Sequence, residues 1–560
     1  MARYCIIGGV AGGATAAARL RRLDENAEII IFEKGGYVSY ANCGLPYYIG
    51  SVIPDRNRLF VQTPRGFKDR FNIDVRVNTE VVRILPGERN LELRDLATGA
   101  VSRESYDKLV LSPGAEPVRP PIPGIDSEGI FTLRNVADTD RIKEYIDRQR
   151  PKNAVVVGGG FIGIEMAENL SLLGMDVTVV EMAEQILVNL DYEIAAEVQG
   201  HLAAHGVNLF VKDGVASFEK KGDAIVIRLS SGREISAGIV ILSIGVRPDT
   251  ALARDAGLAI GGRGGIAVNE YLLTSDPNIY AVGDAIEFPN PVTRLPVITF
   301  LAGPANKQGR IAADNIALGN KRKYAGSLAT FAVKVFDMTV ASTGASSKLL
   351  AANGIPHLAS LTHSGSHAGY YPGAAPISMK LLFSPGDGRL LGAQAAGTDG
   401  VDKRIDVFSA IIGMKGTIYD LMEFDHAYAP PYSSAKDPVN IAGFAAENIL
   451  TGLTKVVHWN EISGLDPHKT FLLDVRTRGE FSQGHIDGSV NIPVDELRQN
   501  SGKIPKGKPI VLYCAVGLRA HVATRILMQS GFDDVSNLSG GYKTYSLARQ
   551  KFSGRDGSCC

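Results

Sequence analysis

The sequence predicts an α/β protein of several domains, in which two separate strand–loop–helix–strand units each present a glycine-rich loop. Three observations carry that prediction. Gly8-Gly9-Val10-Ala11-Gly12-Gly13 follows the apolar run Tyr4 to Ile7, and Gly158-Gly159-Gly160-Phe161-Ile162-Gly163 follows Ala154 to Val157. Each unit then closes on an acid, Glu33 or Glu181, at the end of its second strand. The 560 residues, 45% hydrophobic and 21% charged, have an ordinary globular composition. At roughly 100 to 200 residues per domain, that length accommodates several cores. Lys+Arg and Asp+Glu are both 59, a balance that excludes a general electrostatic role on nucleic acid or membrane. Any anion site must be local.

Within the first unit the helix runs to about Leu23 and the strand from Glu28 to Phe32. Glycines let the backbone approach a pyrophosphate, the helix N-terminus receives its charge, and the following acid grips a ribose hydroxyl. Val10 departs from the strict pattern, since it stands where the second glycine would be. The second unit carries the full fingerprint, with a helix from Ile164 to Leu173 and a strand from Val177 to Val180. Two such units imply two nucleotides on one chain. Ser112-Pro113-Gly114-Ala115 closes a strand that begins near Tyr106, and Ser243 to Asp249 repeats that arrangement after Gly238 to Leu242.

Cys43, in Ser39-Tyr40-Ala41-Asn42-Cys43-Gly44-Leu45-Pro46, has no partner cysteine nearby. Cys5 lies inside the first strand and Cys514 in what reads as another domain, so an internal CxxC or CxxxxC dithiol is excluded. Cys43 must therefore cycle as a mixed disulfide, a persulfide or a sulfenic acid.

The two glycine loops, together with Tyr280-Ala281-Val282-Gly283-Asp284-Ala285, resemble the flavoprotein disulfide reductases that bind two dinucleotides. Within that superfamily, Gly8 to Pro46 with Tyr428-Ala429-Pro430-Pro431-Tyr432-Ser433-Ser434-Ala435-Lys436-Asp437 resembles the coenzyme A disulfide reductases, over roughly residues 1 to 446. The resemblance implies FAD held by Gly8, Gly12, Gly13, Glu33, Ser112, Gly114 and Asp284, with Asp284 on the ribityl chain. It implies NADH held by Gly158, Gly160, Gly163 and Glu181, with Glu165 beside the nicotinamide. No Arg or Lys follows Glu181 in Met182-Ala183-Glu184 to receive a 2′-phosphate, so NADH is expected over NADPH, with NADPH possible through a distant basic residue.

Thr15, Arg19 and Arg22 share one face of the first helix, where an arginine pair can grip a phosphate as a fork. The resemblance makes these residues, with Ser39, Asn42, Asn306 and Lys436, the coenzyme A site. Phe71 stands where a relative uses a lysine, which leaves Lys68 or Arg70 to meet that end of the ligand. Tyr370 and Tyr428 match tyrosines brought to Cys43 across a dimer interface, and Tyr371 is an adjacent competitor.

Further along, Phe471-Leu472-Leu473-Asp474-Val475-Arg476, then Gly484 to Pro493, then the strand Ile510 to Tyr513 feeding Cys514-Ala515-Val516-Gly517-Leu518-Arg519 resemble a single rhodanese domain. The Cys-x4-Arg spacing differs from the Cys-x5-Arg of phosphatase loops and favours sulfur transfer. Backbone N–H groups of the loop are expected to converge on Cys514, with Arg519 attracting an anionic donor or shaping the loop.

The expected organisation is an FAD domain at 1–118 and 249–325, an NAD(H) domain at 119–248, an α+β dimerisation domain at 326–446, a linker at 447–457, a rhodanese domain at 458–552 and a tail at 553–560 ending in Cys559-Cys560. The two nucleotide domains are Rossmann-like and the rhodanese domain is α/β. Expected partners are coenzyme A-linked or inorganic sulfane sulfur and a second copy of the chain, with no nucleic acid, no membrane span and no resident metal. With no signal-type segment and only five cysteines, a reducing cytoplasm is expected. Two other readings are an NADH oxidase or peroxidase cycling Cys43 through a sulfenic acid, weakened by Val10 where those relatives carry histidine, and a non-catalytic sulfur sensor.

Overall fold

The computed structural model describes residues 1–550, so Cys559 and Cys560 lie outside the described residues. The chain divides into two compact units, 1–182 with 212–329 and 183–211 with 330 onward.

In the first unit a five-stranded parallel sheet has the order Ile279–Ala281, Lys108–Leu111, Arg3–Ile7, Glu28–Phe32, Asp74–Arg76. Ile6 faces Ile31 on one side and Val110 on the other, and the strand is buried on both faces, as its unbroken apolar run requires. A second parallel sheet runs Asp176–Glu181, Asn153–Val157, Ile239–Leu242, Ile130–Thr132. The unit also holds two antiparallel meanders, Thr79–Leu85 with Asn90–Asp95 and Val101–Ser105, and Val215–Lys221 with Ala224–Leu229 and Glu234–Ala237.

The second unit contains an antiparallel sheet in the order Phe331–Val335, Met338–Gly344, Leu390–Gly397, Pro376–Phe383, Leu358–Gly365, with the helices Val401–Gly413 and Pro438–Leu450 packed on it. It also contains a parallel sheet in the order Lys455–Val457, Val535–Leu538, Ile510–Tyr513, Phe471–Asp474, Val490–Asn491. Lys455–Val457, which the sequence reading places in the linker, is the edge strand of that sheet, held by pairing with Ser536 to Leu538.

Within the second unit, buried Asp191 anchors the segment 183–211. It accepts from Lys380 at 2.9 Å and from Gln394 at 3.1 Å, while Glu193 takes Lys380 at 2.7 Å. Those bonds tie the helix Tyr192–Ala204 to the antiparallel sheet.

The two sheets of the second unit are joined by a mostly polar seam. Leu361 N donates to Ser539 Oγ at 3.1 Å, His363 lies between Ser378 Oγ at 2.9 Å and Thr544 Oγ1 at 3.0 Å, and Lys543 reaches Glu197 at 3.1 Å. Trp459 stacks on Tyr192 with ring centroids 5.2 Å apart. Three loops leave the carboxyl ends of interior parallel strands, at Ile7, Val157 and Tyr513, and these are the loops that carry the expected chemistry.

Candidate active site

The glycine loops are shaped by collisions that any side chain would cause. A Cβ on Gly8 would lie 2.1 Å from Ser112 O, and one on Gly13 would lie 1.9 Å from Gly8 O. The second loop repeats the arrangement, with Gly158 against Ser243 O at 2.4 Å and Gly163 against Gly158 O at 2.0 Å. Gly160 faces open space. Each acid reaches back to its own loop: Glu33 accepts from Gly9 N at 2.9 Å and from Gly35 N at 2.8 Å, and Glu181 accepts from Gly159 N at 2.7 Å. Burial pushes the Glu33 carboxyl up, against the pull of its two N–H donors.

Gly12, Ser112 and Gly283 meet beside Asp284, which sits in the short turn Gly283–Ala285 after the strand Ile279–Ala281. Gln308 Oε1 accepts from Gly283 N at 2.7 Å and fixes the turn. Burial alone pushes the Asp284 carboxyl up to about 6. Gly114 adopts a positive φ of 79° next to Ser112, whose N–H donates to Ile7 O at 2.8 Å.

Cys43 lies in the turn Asn42–Gly44, which runs directly into the helix Leu45–Ile49. That helix packs on the helix Phe161–Leu172 of the second glycine loop, closely enough that a Cβ on Gly50 would meet Asn169 Oδ1 at 2.2 Å. The packing sets Glu165 beside Cys43, with the Tyr47 hydroxyl bonded to Glu165. Burial and the charge of Glu168 push Glu165 up to about 7, against the Tyr47 bond. The Cys43 residue is exposed, yet surrounding protein displaces enough water to raise its thiol pKa, and the charges of Glu165 and Asp284 add to that rise. Glu165→Gln is therefore expected to move the pH profile of Cys43 alkylation to lower pH, because a like charge is removed. Iodoacetamide rates measured against pH check this.

The residues expected to hold coenzyme A divide into three places. Thr15 and Arg19 on the helix Ala11–Leu23 reach the helix Ala302–Leu318, through Asn306 and Asp314 respectively, while Arg22 of the same helix is exposed. Thr15 Oγ1 donates to Asn306 Oδ1 at 2.5 Å. Arg19 is not part of a free fork: its guanidinium is paired with buried Asp314 at 2.6 Å, which leaves Arg22 alone pointing to solvent. Ser39 and Asn42 flank Cys43 on its own loop. Lys436 is exposed in the second unit. Phe71 packs on the core and its carbonyl accepts from Arg21, while Lys68 bonds Asn72 at 2.9 Å and Arg70 is exposed.

In the second unit Tyr370 and Tyr428 are hydrogen-bonded to each other at 2.9 Å, and both are exposed. That bond raises the Tyr370 pKa. Tyr371 is also exposed, edge-on to His367. Beneath the pair lies Arg404, fully buried, which donates to Asp437 at 2.9 Å and to Ser366 O at 2.7 Å. Asp437 in turn accepts from Ser433 Oγ at 2.6 Å and caps the helix Pro438–Leu450. Ala368 N donates to Ser433 O at 2.9 Å, so one buried ion pair holds both tyrosine loops. Sequence reasoning missed Arg404.

At the third loop Cys514 is fully buried, and Gly517 N donates to its sulfur at 3.1 Å. Gly517, at φ 106°, opens the helix Leu518–Gln529. Arg519 is held by Glu480 through two bonds of 2.8 and 2.5 Å, and the pairing holds Glu480 down at about 2. Buried Asp474 binds Arg476 at 2.6 Å, and Arg476 lies 4.2 Å over the Tyr542 ring. The backbone of Tyr542 and Lys543 then fixes the carbonyls of Cys514 and Ala515.

Residues 2–309 match the model of the pyridine nucleotide-disulphide oxidoreductases, 330–438 that family's dimerisation domain, and 458–548 the rhodanese-like domain. The chain belongs to the pyridine nucleotide-disulphide oxidoreductase family. A coenzyme A disulfide reductase of Staphylococcus haemolyticus is 37% identical over 450 residues, 80% of this chain and 100% of that protein. Among solved structures, reduced Bacillus anthracis CoADR-RHD is 50% identical, with 98% of both chains covered and a TM-score of 0.95. An NAD-dependent persulfide reductase from A. fulgidus is 38% identical, with 97% of this chain and 100% of that chain covered and a TM-score of 0.91.

Members of this oxidoreductase family work with FAD and a pyridine nucleotide, and the residues of this chain fit both groups. The glycine cradles would be filled by any Cβ, and Asp284 is a largely buried acceptor with no hydrogen-bond partner among the described residues. Among those residues, no helix is long and apolar enough to cross a membrane.

Proposed function

We propose that this oxidoreductase passes electrons from NADH through FAD to coenzyme A persulfide, polysulfide or coenzyme A disulfide at the single thiol Cys43, and that Cys514 handles sulfane sulfur. The observation that carries this reading is the exposure of Cys43 beside Glu165, while Cys5 and Cys514 are buried. The names of the relatives support the same substrate class.

Cys43 thiolate attacks the sulfur bonded to coenzyme A, forming a Cys43–S–S–CoA mixed disulfide. A persulfide expels hydrosulfide in that step, and a disulfide expels coenzyme A thiolate. Bound FAD and NADH would supply the two electrons that cleave the mixed disulfide to Cys43 thiolate and coenzyme A, the latter taking one proton. The Tyr370–Tyr428 pair leaves one phenol O–H free to donate, and in a homodimer the partner subunit's pair would meet the departing thiolate. Glu181, bonded to Gly159 N and followed by no basic residue in Met182-Ala183-Glu184, favours NADH over a 2′-phosphorylated nucleotide. Thr15, Arg22, Ser39, Asn42 and Asn306 would bind coenzyme A, Lys436 is a further candidate ligand, and Arg19 would act through its pairing with Asp314.

Anaerobic stopped-flow NADH oxidation by the FAD-loaded protein tests this, comparing coenzyme A disulfide with coenzyme A persulfide or polysulfide. Faster turnover with persulfide supports persulfide reduction. Faster turnover with disulfide makes disulfide the substrate, and consumption of O2 or peroxide alone overturns the reading. Cys514→Ser is expected to lose sulfur transfer from thiosulfate to cyanide by at least about a thousandfold, since the nucleophile is gone. The same variant should reduce coenzyme A disulfide at the wild-type rate.

A further inference from the structure

The helix Tyr192–Ala204 carries His201 in its last turn, and His205 is its C-cap, so the two rings stand one turn apart on the same face. The turn Phe336-Asp337, between the strands Phe331–Val335 and Met338–Gly344, reaches the same place. Asp337 Oδ1 lies 2.8 Å from His201 Nε2 and 3.6 Å from His205 Nε2. One ligand atom from each of the three residues falls within 4.8 Å of the others. Tetrahedral zinc, with bonds of about 2.0–2.2 Å, needs ligand atoms about 3.3 Å apart. The two measured separations fall on either side of that value.

The hydrogen bonding points the same way. His205 Nδ1 lies 2.9 Å from the carbonyl of His201. A carbonyl only accepts, so Nδ1 carries a proton, and it is Nε2 of the neutral ring that would present a lone pair towards Asp337. This is the backbone bond that fixes the tautomer of a metal-binding histidine. His201 Nε2 is shut off from water, and its approach to Asp337 has no hydrogen-bond geometry. A buried nitrogen without a hydrogen bond, an imidazole lone pair and a carboxylate thus face one point.

The local scaffold holds them there. Phe336 takes a positive φ of 55°, a conformation a bulky side chain seldom adopts, and its ring stacks on His205 at 4.3 Å and 7°. A helix C-terminus also favours a cation.

We propose that His201 Nε2, His205 Nε2 and Asp337 Oδ1 bind a divalent transition-metal ion of the zinc class, with a fourth position open to water. The Asp337 side chain is 70% exposed, so the ion loads from solution. The ion pins the last turn of the helix to the first hairpin of the antiparallel sheet. Asp191, which precedes this helix, and Glu193 and Glu197 within it hold Lys380 and Lys543, so the pin also braces the polar seam.

The test uses the full-length, FAD-loaded protein, stripped with chelator and alkylated with N-ethylmaleimide so that no thiol competes. Zn2+ binding is measured by equilibrium dialysis and metal analysis, with Co2+ as the spectroscopic probe. The expected result is one tight equivalent, visible Co2+ bands without thiolate charge transfer, and affinity weakened by at least about tenfold in His205→Gln and Asp337→Asn. Asp337→Asn changes only an exposed turn and covers the case in which His205→Gln fails to fold, with flavin absorbance, and NADH turnover measured before alkylation, as the check on folding. Absence of a tight equivalent in the wild type, or equal affinity in a folded variant, overturns the proposal.

Discussion

Cys43→Ser is expected to lower NADH-dependent sulfur reduction by at least about a thousandfold, because a serine hydroxyl is neither nucleophilic at neutral pH nor able to form a mixed disulfide. Sulfur transfer at Cys514 should be unchanged in the same protein. The substitution replaces one atom on an exposed residue, so thermal stability and flavin content should match the wild type. Anaerobic NADH oxidation with coenzyme A disulfide, followed alongside thiosulfate-to-cyanide transfer, checks both halves. Retained reduction would mean that electrons reach sulfur without a protein thiol, and would remove the basis of the proposed function.

Arg404→Ala is expected to cost about 3–5 kcal/mol, since it leaves the Asp437 carboxylate buried and without its cation. Both side chains are 2% exposed, so solvent cannot take over the pairing. Burial alone would push the Asp437 carboxyl up, but Arg404, the Ser433 hydroxyl and Val439 N–H together hold it below the usual carboxylate range. A depressed carboxylate contributes stability above its unfolded pKa and loses that contribution as pH falls through its folded value. The wild type should therefore lose this contribution on the acid side, below about pH 4, and the gap between wild type and variant should narrow there. Thermal unfolding between pH 3 and 8 checks the sign. Because the pair anchors the Tyr370 and Tyr428 loops, reductase turnover should fall with stability.

What was legible in the sequence was whatever is encoded locally. Gly8, Gly13, Gly158 and Gly163 could be read because a backbone that passes 2 Å or so from where a Cβ would sit admits no other residue. Cys43 and Cys514 could be read because each sits in a short motif between a strand and a helix. Hidden features depend on partners far apart in the chain. Arg19 looked free because Asp314 lies 295 positions away. Arg404 looked like an ordinary helix arginine until Asp437 was brought under it. Nor does anything near Asp191 in the chain announce that Lys380 will pair with it. His201 and His205 show helical spacing, but Asp337 comes from a hairpin that periodicity does not connect to them.

The polar seam also makes each half of the second unit depend on the other. Burial, with help from Lys543, pushes the His363 imidazole down to about 3, so it stays neutral at any physiological pH. Its Nε2 lies against Thr544, and the charge that helps keep it neutral is that of Lys543, both residues of the C-terminal domain. A protein ending before Lys455 would return that ring to water and leave Glu193 and Glu197 without Trp459 and Lys543. Shortening this protein therefore calls for redesign of the face that is exposed as well as a stop codon.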